Sequence, residues 1–321
     1  MNNMNQGFSI LDSIAENLTS KEYITNPAIA RDSEIKKLMV LLLAPDKSAL
    51  LVGKPGIGKT AIVEGLAYLI QRDSVPDALK GYQIFKVNSS SLMNKIIVDG
   101  NEKLSINLLV DELKSMDKVI LFIDEVHMLI GANQDSPIDL ANILKPSLDR
   151  GTIKAIGATT TIEYETYVVR DRAFLRRFDR IDVNEPDEAT TVEILMKSLP
   201  KYEYKTGIKF KYNDYIVQQL LESIVSATSE YKRIYGLSAM YPDVAFSLLS
   251  QAFSLALVDN RNSVDLVDVY NAIKISKRIY PDSIVKELDA FRIKFDKLCH
   301  EENITLPVVR LEDLEVNDEI R

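Results

Sequence analysis

The apolar run Ala49-Leu50-Leu51-Val52 leads directly into Gly53-Lys54-Pro55-Gly56-Ile57-Gly58-Lys59-Thr60, and a helical pattern, Ala61-Ile62-Val63-Glu64-Gly65-Leu66-Ala67, follows it. Strand, glycine loop and helix in this order fit the phosphate-loop pattern G-x-x-x-x-G-K-[ST] in the context that pattern requires. Phosphates are dense negative charge, and backbone N–H groups at a helix N-terminus bind them at little cost. Gly53, Gly56 and Gly58 carry no Cβ, so the backbone can curl closely enough to do this. Lys59 is placed to reach the outer phosphates, and the Thr60 hydroxyl to ligate Mg²⁺. The loop points to a nucleoside triphosphate.

What surrounds it must supply the rest of a site, and the chain is long enough to do so. Its 321 residues, 46% of them hydrophobic, suggest about two domains with a large buried core. The 39 basic and 47 acidic residues leave a net charge of −8, which argues against a protein that coats nucleic acid. The lone cysteine, Cys299, excludes an internal disulfide framework and fits a reducing, cytoplasmic compartment. With His127 the only histidine besides His300, the pair Cys299-His300 reads as a helix-surface or core thiol, not a metal site. The N-terminus has no basic or apolar signal region and no run reaches membrane-spanning length, so the expectation is a soluble, intracellular protein without a membrane partner.

Four segments are expected: a polar leader over 1–20, a nucleotide-binding domain over 21–187, a helical domain over 188–302 and an acidic tail over 303–321. In the leader, Ile10 to Ile14 reads as a turn or short helix. Asp32 or Ser33 can cap a helix carrying Ile35, Leu38, Met39 and Leu42. Between 48 and about 185, short apolar strands alternate with helical patterns, which predicts an α/β domain with a parallel sheet. The strands are Ala49 to Val52, Gln83 to Val87, Val119 to Ile123, Ile153 to Ala158 and Arg180 to Val183. Helices are expected at Lys59 to Gln71, Leu104 to Lys114 and Ile138 to Leu148. Beyond Pro186 only helical patterns remain: Thr190 to Leu199, Asp214 to Ser226, Val244 to Leu257, Val264 to Ser276 and Ser283 to His300. The tail after Asn303 is expected to lie loosely.

The run Val119-Ile120-Leu121-Phe122-Ile123 ends in Asp124-Glu125, as a buried strand should when its C-terminal edge faces a ligand. Beside a phosphate loop these carboxylates have a job. Asp124 holds Mg²⁺ directly or through water, and Glu125 polarises the water that attacks the γ-phosphate. His127 fits a supporting role better than that of a base. The strand ending at Ala158 is followed by Thr159-Thr160-Thr161. A hydroxyl there either meets the attacking water or γ-phosphate, or caps the helix that follows, and the residues alone leave both open. Arg176-Arg177, before the next strand, is either a solvated face or an arginine finger. If the pair lies too far from its own phosphate loop, the finger serves a neighbouring subunit.

Together these residues resemble the first nucleotide-binding module of the Clp-type AAA+ unfoldases and disaggregases, over roughly residues 17 to 275. The resemblance rests on Asn26-Pro27-Ala28-Ile29-Ala30-Arg31-Asp32, the loop and helix from Gly53 to Ala67, Val75-Pro76-Asp77-Ala78-Leu79-Lys80-Gly81 and Phe122 to His127. It continues through Asn142 to Gly151, Ile156-Gly157-Ala158-Thr159-Thr160, Arg176-Arg177-Phe178 and Tyr241-Pro242-Asp243. It implies a five-stranded AAA+ core with a helical lid, ATP at subunit interfaces and a hexameric ring. Gly53, Pro55, Gly56, Ile57, Gly58, Lys59, Thr60 and Ala61 then form the phosphate cradle, with Ile29 at the adenine. Thr60 and Asp124 become the Mg²⁺ ligands, Glu125 the catalytic base, Thr160 the first sensor, and Arg176 and Arg177 fingers acting in trans.

Two departures bear on what ATP drives. In Lys95-Ile96-Ile97-Val98-Asp99-Gly100, Val98 stands where threading relatives carry an aromatic residue, and Asp99 where they carry a basic one. Val244 stands where a lysine often follows Pro-Asp in the lid. The 321 residues leave no room for a folded N-terminal domain, a coiled middle domain or a second ATPase module beside these elements, so a stripped-down, single-ring relative is expected. The leading expectation is an ATP-hydrolysing ring that remodels or translocates a protein, recruited by an adaptor. The alternative is an ATP-dependent assembly regulator or loader acting on a nucleic-acid complex, its contact with the nucleic acid indirect.

Overall fold

Every residue of Ser48–Val52 is buried, as a strand with parallel neighbours on both sides requires. The computed structural model describes residues 9–98, 101–130, 143, 153–234 and 240–314. Two compact units divide them. The first runs to Lys54 and from Gly58 to Asn184, and the second takes Pro55–Ile57 and the residues described from Glu185 onward.

The strands of the first unit are, in chain order, β1 (Ala15–Asn17), β2 (Ser48–Val52), β3 (Gln83–Asn88), β4 (Lys95–Val98), β5 (Asn101–Leu104), β6 (Val119–Asp124), β7 (Lys154–Thr159) and β8 (Phe178–Asp182). Six of them form one sheet in the order β1-β3-β6-β7-β2-β8. The five strands from β3 to β8 are mutually parallel and make the AAA+ core that the resemblance implies. Their C-terminal ends therefore all point one way, the edge where ligands bind in such sheets.

The sixth strand was not expected. Ala15-Glu16-Asn17 has little β propensity, yet it pairs antiparallel with Phe85–Val87 and closes the otherwise open edge of β3. The helix Ile10–Ile14 before it is anchored at both ends of its chemistry. Ile10 and Leu11 are each 3% exposed, and the Glu112 carboxylate accepts from the Ser9 hydroxyl at 2.7 Å and the Ile10 N–H at 2.9 Å.

The helix Asp32–Leu43 buries Ile35, Leu38 and Leu42, but neither Asp32 nor Ser33 caps it. Arg31 occupies the capping position without a side-chain bond, and the Ser33 hydroxyl turns instead to Glu34 at 2.7 Å. The stretch that aligns with the threading loop forms β4, paired with β5 in the register Ile97↔Glu102. The side chain of Val98, residues Asp99 and Gly100, the expected helix over Ile138 to Leu148 and, apart from Ile143, the Asn142 to Gly151 motif lie outside the described residues.

In the second unit the helices Glu188–Thr206, Asp214–Ala227, Asp243–Val258, Leu266–Lys274 and Pro281–Lys294 pack around Leu220, Leu249, Phe253 and Tyr270. A two-residue parallel ladder, β9 (Lys209–Phe210) with β10 (Ser263–Val264), interrupts the helical pattern, so Val264 is a strand residue and not the first turn of a helix. The single helix expected over Ser283 to His300 is two, meeting at Phe295, whose ring is 2% exposed. Cys299 is a buried thiol, and burial pushes its pKa up. Residues beyond 303 are packed down through Leu314. Leu306 and Val309 join the core, and the Tyr270 hydroxyl donates to the Pro307 carbonyl. Among the described residues no helix is long and apolar enough to cross a membrane.

Candidate nucleotide site

The loop leaving β2 turns through Gly56 at φ +74° and Gly58 at φ +100°, both in the left-handed region that a side chain disfavours. Gly58 stands at the cap of the helix Lys59–Gln71, so that helix can begin at the strand's end without a clash. Lys59 Nζ donates to the carbonyls of Gly53 at 2.7 Å and Lys54 at 3.1 Å, folding the ammonium back over the loop. Burial pushes the Lys59 pKa down, opposed by the negative charges of Asp124 and Glu163. Pro55 is exposed, Ile57 is 2% exposed, and Ala61 is half-buried in the first helical turn.

Close packing places the adenine-side candidate. A Cβ on Gly65 would lie 2.2 Å from the Ala28 Cβ, so only glycine lets residues 26–30 rest against the phosphate-loop helix. Ile29 is half-buried in that segment, which turns at Ala30 with φ +56° and is pinned by Asn26 accepting from the Ala28 N–H at 3.0 Å.

β6 delivers the two carboxylates. The Thr60 hydroxyl donates to Asp124 Oδ2 at 3.4 Å, and Lys86, from neighbouring β3, forms an ion pair with the same oxygen at 3.4 Å. A hydroxyl and a carboxylate are the hard oxygen donors that suit Mg²⁺, which takes few protein ligands and fills its shell with water and phosphate. No cluster of three or more metal-binding side chains occurs among the described residues, and none is needed for that mode. Glu125 follows in the left-handed region at φ +54°, its side chain exposed. The Ser89 hydroxyl lies 2.7 Å from the Asp124 carbonyl and 2.9 Å from that of Glu125, bracing this turn. A non-glycine residue held there costs on the order of 1–3 kcal/mol, which the surrounding bonds must offset.

β7 brings in the threonines, since Val52 and Thr159 are paired in register. Thr160 caps the helix Thr161–Thr166 in a reciprocal capping box: its hydroxyl accepts from the Glu163 N–H at 3.3 Å, and Glu163 accepts from the Thr160 N–H at 3.0 Å. Capping uses the hydroxyl oxygen and leaves its proton to donate, so a cap and a phosphate contact are compatible in one residue. His127 Nδ1 lies 3.2 Å from Thr159 Oγ1 and 3.2 Å from Glu163 Oε2, with its ring stacked on Tyr167.

Arg176 and Arg177 sit at the other end of the sheet. The Ser48 N–H, at the start of β2, donates to the Arg177 carbonyl at 2.8 Å. The phosphate loop leaves from the far end of that five-residue strand, roughly 13 Å away at 3.3 Å per residue. Arg177 donates to the Ala173 carbonyl at 2.8 Å, while Arg176 is exposed.

Glu163, Lys86 and Ser89 escaped the reading of the sequence. The spacing Thr160-x-x-Glu163 is a capping-box signal that names the first. Lys86 and Ser89 carry no local signal, because only the adjacency of β3 and β6 brings them to Asp124.

Residues 49–185 match the ATPase family associated with various cellular activities, AAA. The chain is 34% identical over 294 residues to the chaperone protein ClpB of Porphyromonas gingivalis, covering 90% of this chain and 33% of that protein. It is 36% identical over 274 residues to ClpE, the ATP-binding subunit of an ATP-dependent Clp protease of Bacillus subtilis, covering 84% of this chain and 38% of the relative. This chain belongs to the Clp-type AAA+ ATPases. As a Clp-type module it spans little more than a third of the length of those curated relatives. Its backbone resembles Hsp104 solved with ATPγS and FITC-casein, with a TM-score of 0.69, 29% identity and coverage of 93% of this chain and 54% of that one. The Saccharomyces cerevisiae Hsp104–ADP complex gives a TM-score of 0.67 at 30% identity, over 90% of this chain and 52% of that one.

Proposed function

We propose that this Clp-type module binds and hydrolyses ATP as one subunit of a ring, hexameric as the resemblance implies, and uses the cycle to remodel or translocate a protein. The observation that carries the reading is the convergence of Thr60 from the phosphate-loop helix and Asp124 from β6 within 3.4 Å. Backbone N–H groups from Gly56 to Ala61 and the Lys59 ammonium bind the phosphates, with Gly53 and Pro55 shaping the loop and Ile29 against the adenine. Thr60 and Asp124 would hold Mg²⁺, which would offset the negative charge of the phosphates. Glu125 orients the attacking water and accepts its proton, and the Thr160 hydroxyl donates to that water or to the terminal phosphate. Arg176 and Arg177, set at the opposite end of β2, neutralise charge at a neighbouring subunit's site.

A protein substrate is favoured by the casein complex of the related Hsp104 and by the β4–β5 hairpin, where the aliphatic Ile97 is 73% exposed. An aliphatic grip from Ile97 then replaces the aromatic one. The compartment is cytoplasmic, in keeping with the free Cys299 thiol. Replacing the base tests the core of this reading. Glu125→Gln should retain ATP and lower turnover by about 10²–10⁴-fold, the usual contribution of a general base. Turnover equal to that of the parent chain would remove Glu125 from the reaction.

A further inference from the structure

Three donors converge on one carboxylate. Glu163 Oε2 accepts from the Thr160 N–H at 3.0 Å and the Thr159 hydroxyl at 3.3 Å, and His127 Nδ1 lies 3.2 Å away. An ionised carboxylate can only accept, so the His127 tautomer that satisfies this contact carries its proton on Nδ1. Burial would push the Glu163 pKa up, but the bonds from Thr160 and the charge of His127 outweigh it and hold the group below the ordinary glutamate range. These contacts join two separate turns. His127 stands two residues after Glu125, at the end of β6, while Thr159 and Thr160 stand at the end of β7.

The second half of the capping box decides how the Thr160 hydroxyl is used. Its oxygen accepts from the Glu163 N–H at 3.3 Å. The same side chain is also hydrogen-bonded to the Glu163 carboxylate, one of the contacts that hold the Glu163 pKa down. A threonine rotor tied in this way is held in one orientation.

We propose that Glu163, braced by His127, is a positioning residue of the hydrolytic site: it ties the Thr160 turn to the Glu125 turn and fixes the orientation of the Thr160 side chain there. This rests on the hydrolytic reading above. Glu163 acts through Thr160, so the two substitutions must not add. Removing a hydrogen-bonded charged group from such a brace should lower kcat on the order of tenfold.

The test is a double-mutant cycle on the full chain with ATP as substrate, measuring kcat, KM and, separately, the affinity for a fluorescent ATP analogue. Glu163→Ala should lower kcat about tenfold while KM and affinity stay within about twofold, and Glu163→Ala with Thr160→Ala should be no slower than Thr160→Ala alone. His127→Ala, which leaves the capping box intact, should lower kcat in the same direction. Glu163→Gln retains the box and should keep kcat within about twofold of the parent, and His127→Ala carries the test if Glu163→Ala does not fold. Multiplicative losses, or a fall in affinity that matches the fall in kcat, would overturn the proposal. So would a parent-like kcat in His127→Ala, with the hydrolytic reading left standing. A parent chain that binds the analogue and never turns ATP over would contradict the hydrolytic reading and this one together.

Discussion

The Thr60 hydroxyl and the Asp124 carboxylate meet at 3.4 Å across 64 positions of sequence, and the sheet order brings them there: β6 ends one strand away from the strand that feeds the phosphate loop. If this pair is the Mg²⁺ site, Asp124→Asn should raise the Mg²⁺ concentration needed for half-maximal turnover by about 10–100-fold. Nucleotide affinity measured with the metal chelated should be unchanged. A magnesium titration of parent and variant checks both.

Gly65 makes a second, independent test of how the site is built. A methyl there would come within 2.2 Å of Ala28 and 3.2 Å of Ile35. Gly65→Ala should therefore destabilise the first unit by about 1–3 kcal/mol, the usual cost of overpacking a filled core. Thermal unfolding reports it. Adding Ala28→Gly should recover part of the loss by reopening the space.

Val244 is fully buried in the helical core. Introducing a lysine there, Val244→Lys, should place an unpaired ammonium among apolar side chains and cost about 3 kcal/mol or more. Urea unfolding of the variant should show a clearly lowered midpoint. An unchanged midpoint would mean the side chain reaches water.

Local signals and three-dimensional ones separate cleanly in this molecule. β2, β6 and the helix Lys59–Gln71 were legible because each is a contiguous pattern: an apolar run of strand length, a glycine loop, a 3.6-residue period. The residues at their ends, Lys59, Thr60, Asp124 and Glu125, were legible for the same reason. β1 was not, because Ala15-Glu16-Asn17 is a strand only through its pairing with β3. Nor was the break at Phe295, where burial of the ring competes with helix periodicity. The packing of residues 304–314 was hidden by the acidic residues from Glu312 onward, which make the whole tail read as polar, although Leu306, Val309 and Leu314 turn inward. The place of Thr160 depended on Glu163, whose meaning appears only when the capping box and His127 are seen together.

If each hydrolytic site is shared between two subunits, as proposed, a defect in one subunit can be made good by its neighbour. Glu125→Gln and the double variant Arg176→Ala, Arg177→Ala should each hydrolyse ATP poorly alone, since one lacks its base and the other its fingers. Mixed in equal amounts and allowed to reassemble, they should regain activity, because about a quarter of the interfaces in a random ring pair an intact Glu125 with intact arginines. Steady-state ATP hydrolysis of the mixture against the separate variants is the measurement. Activity well above the mean of the two supports sites completed in trans. Activity equal to that mean, or an arginine variant as fast as the parent chain, would contradict it.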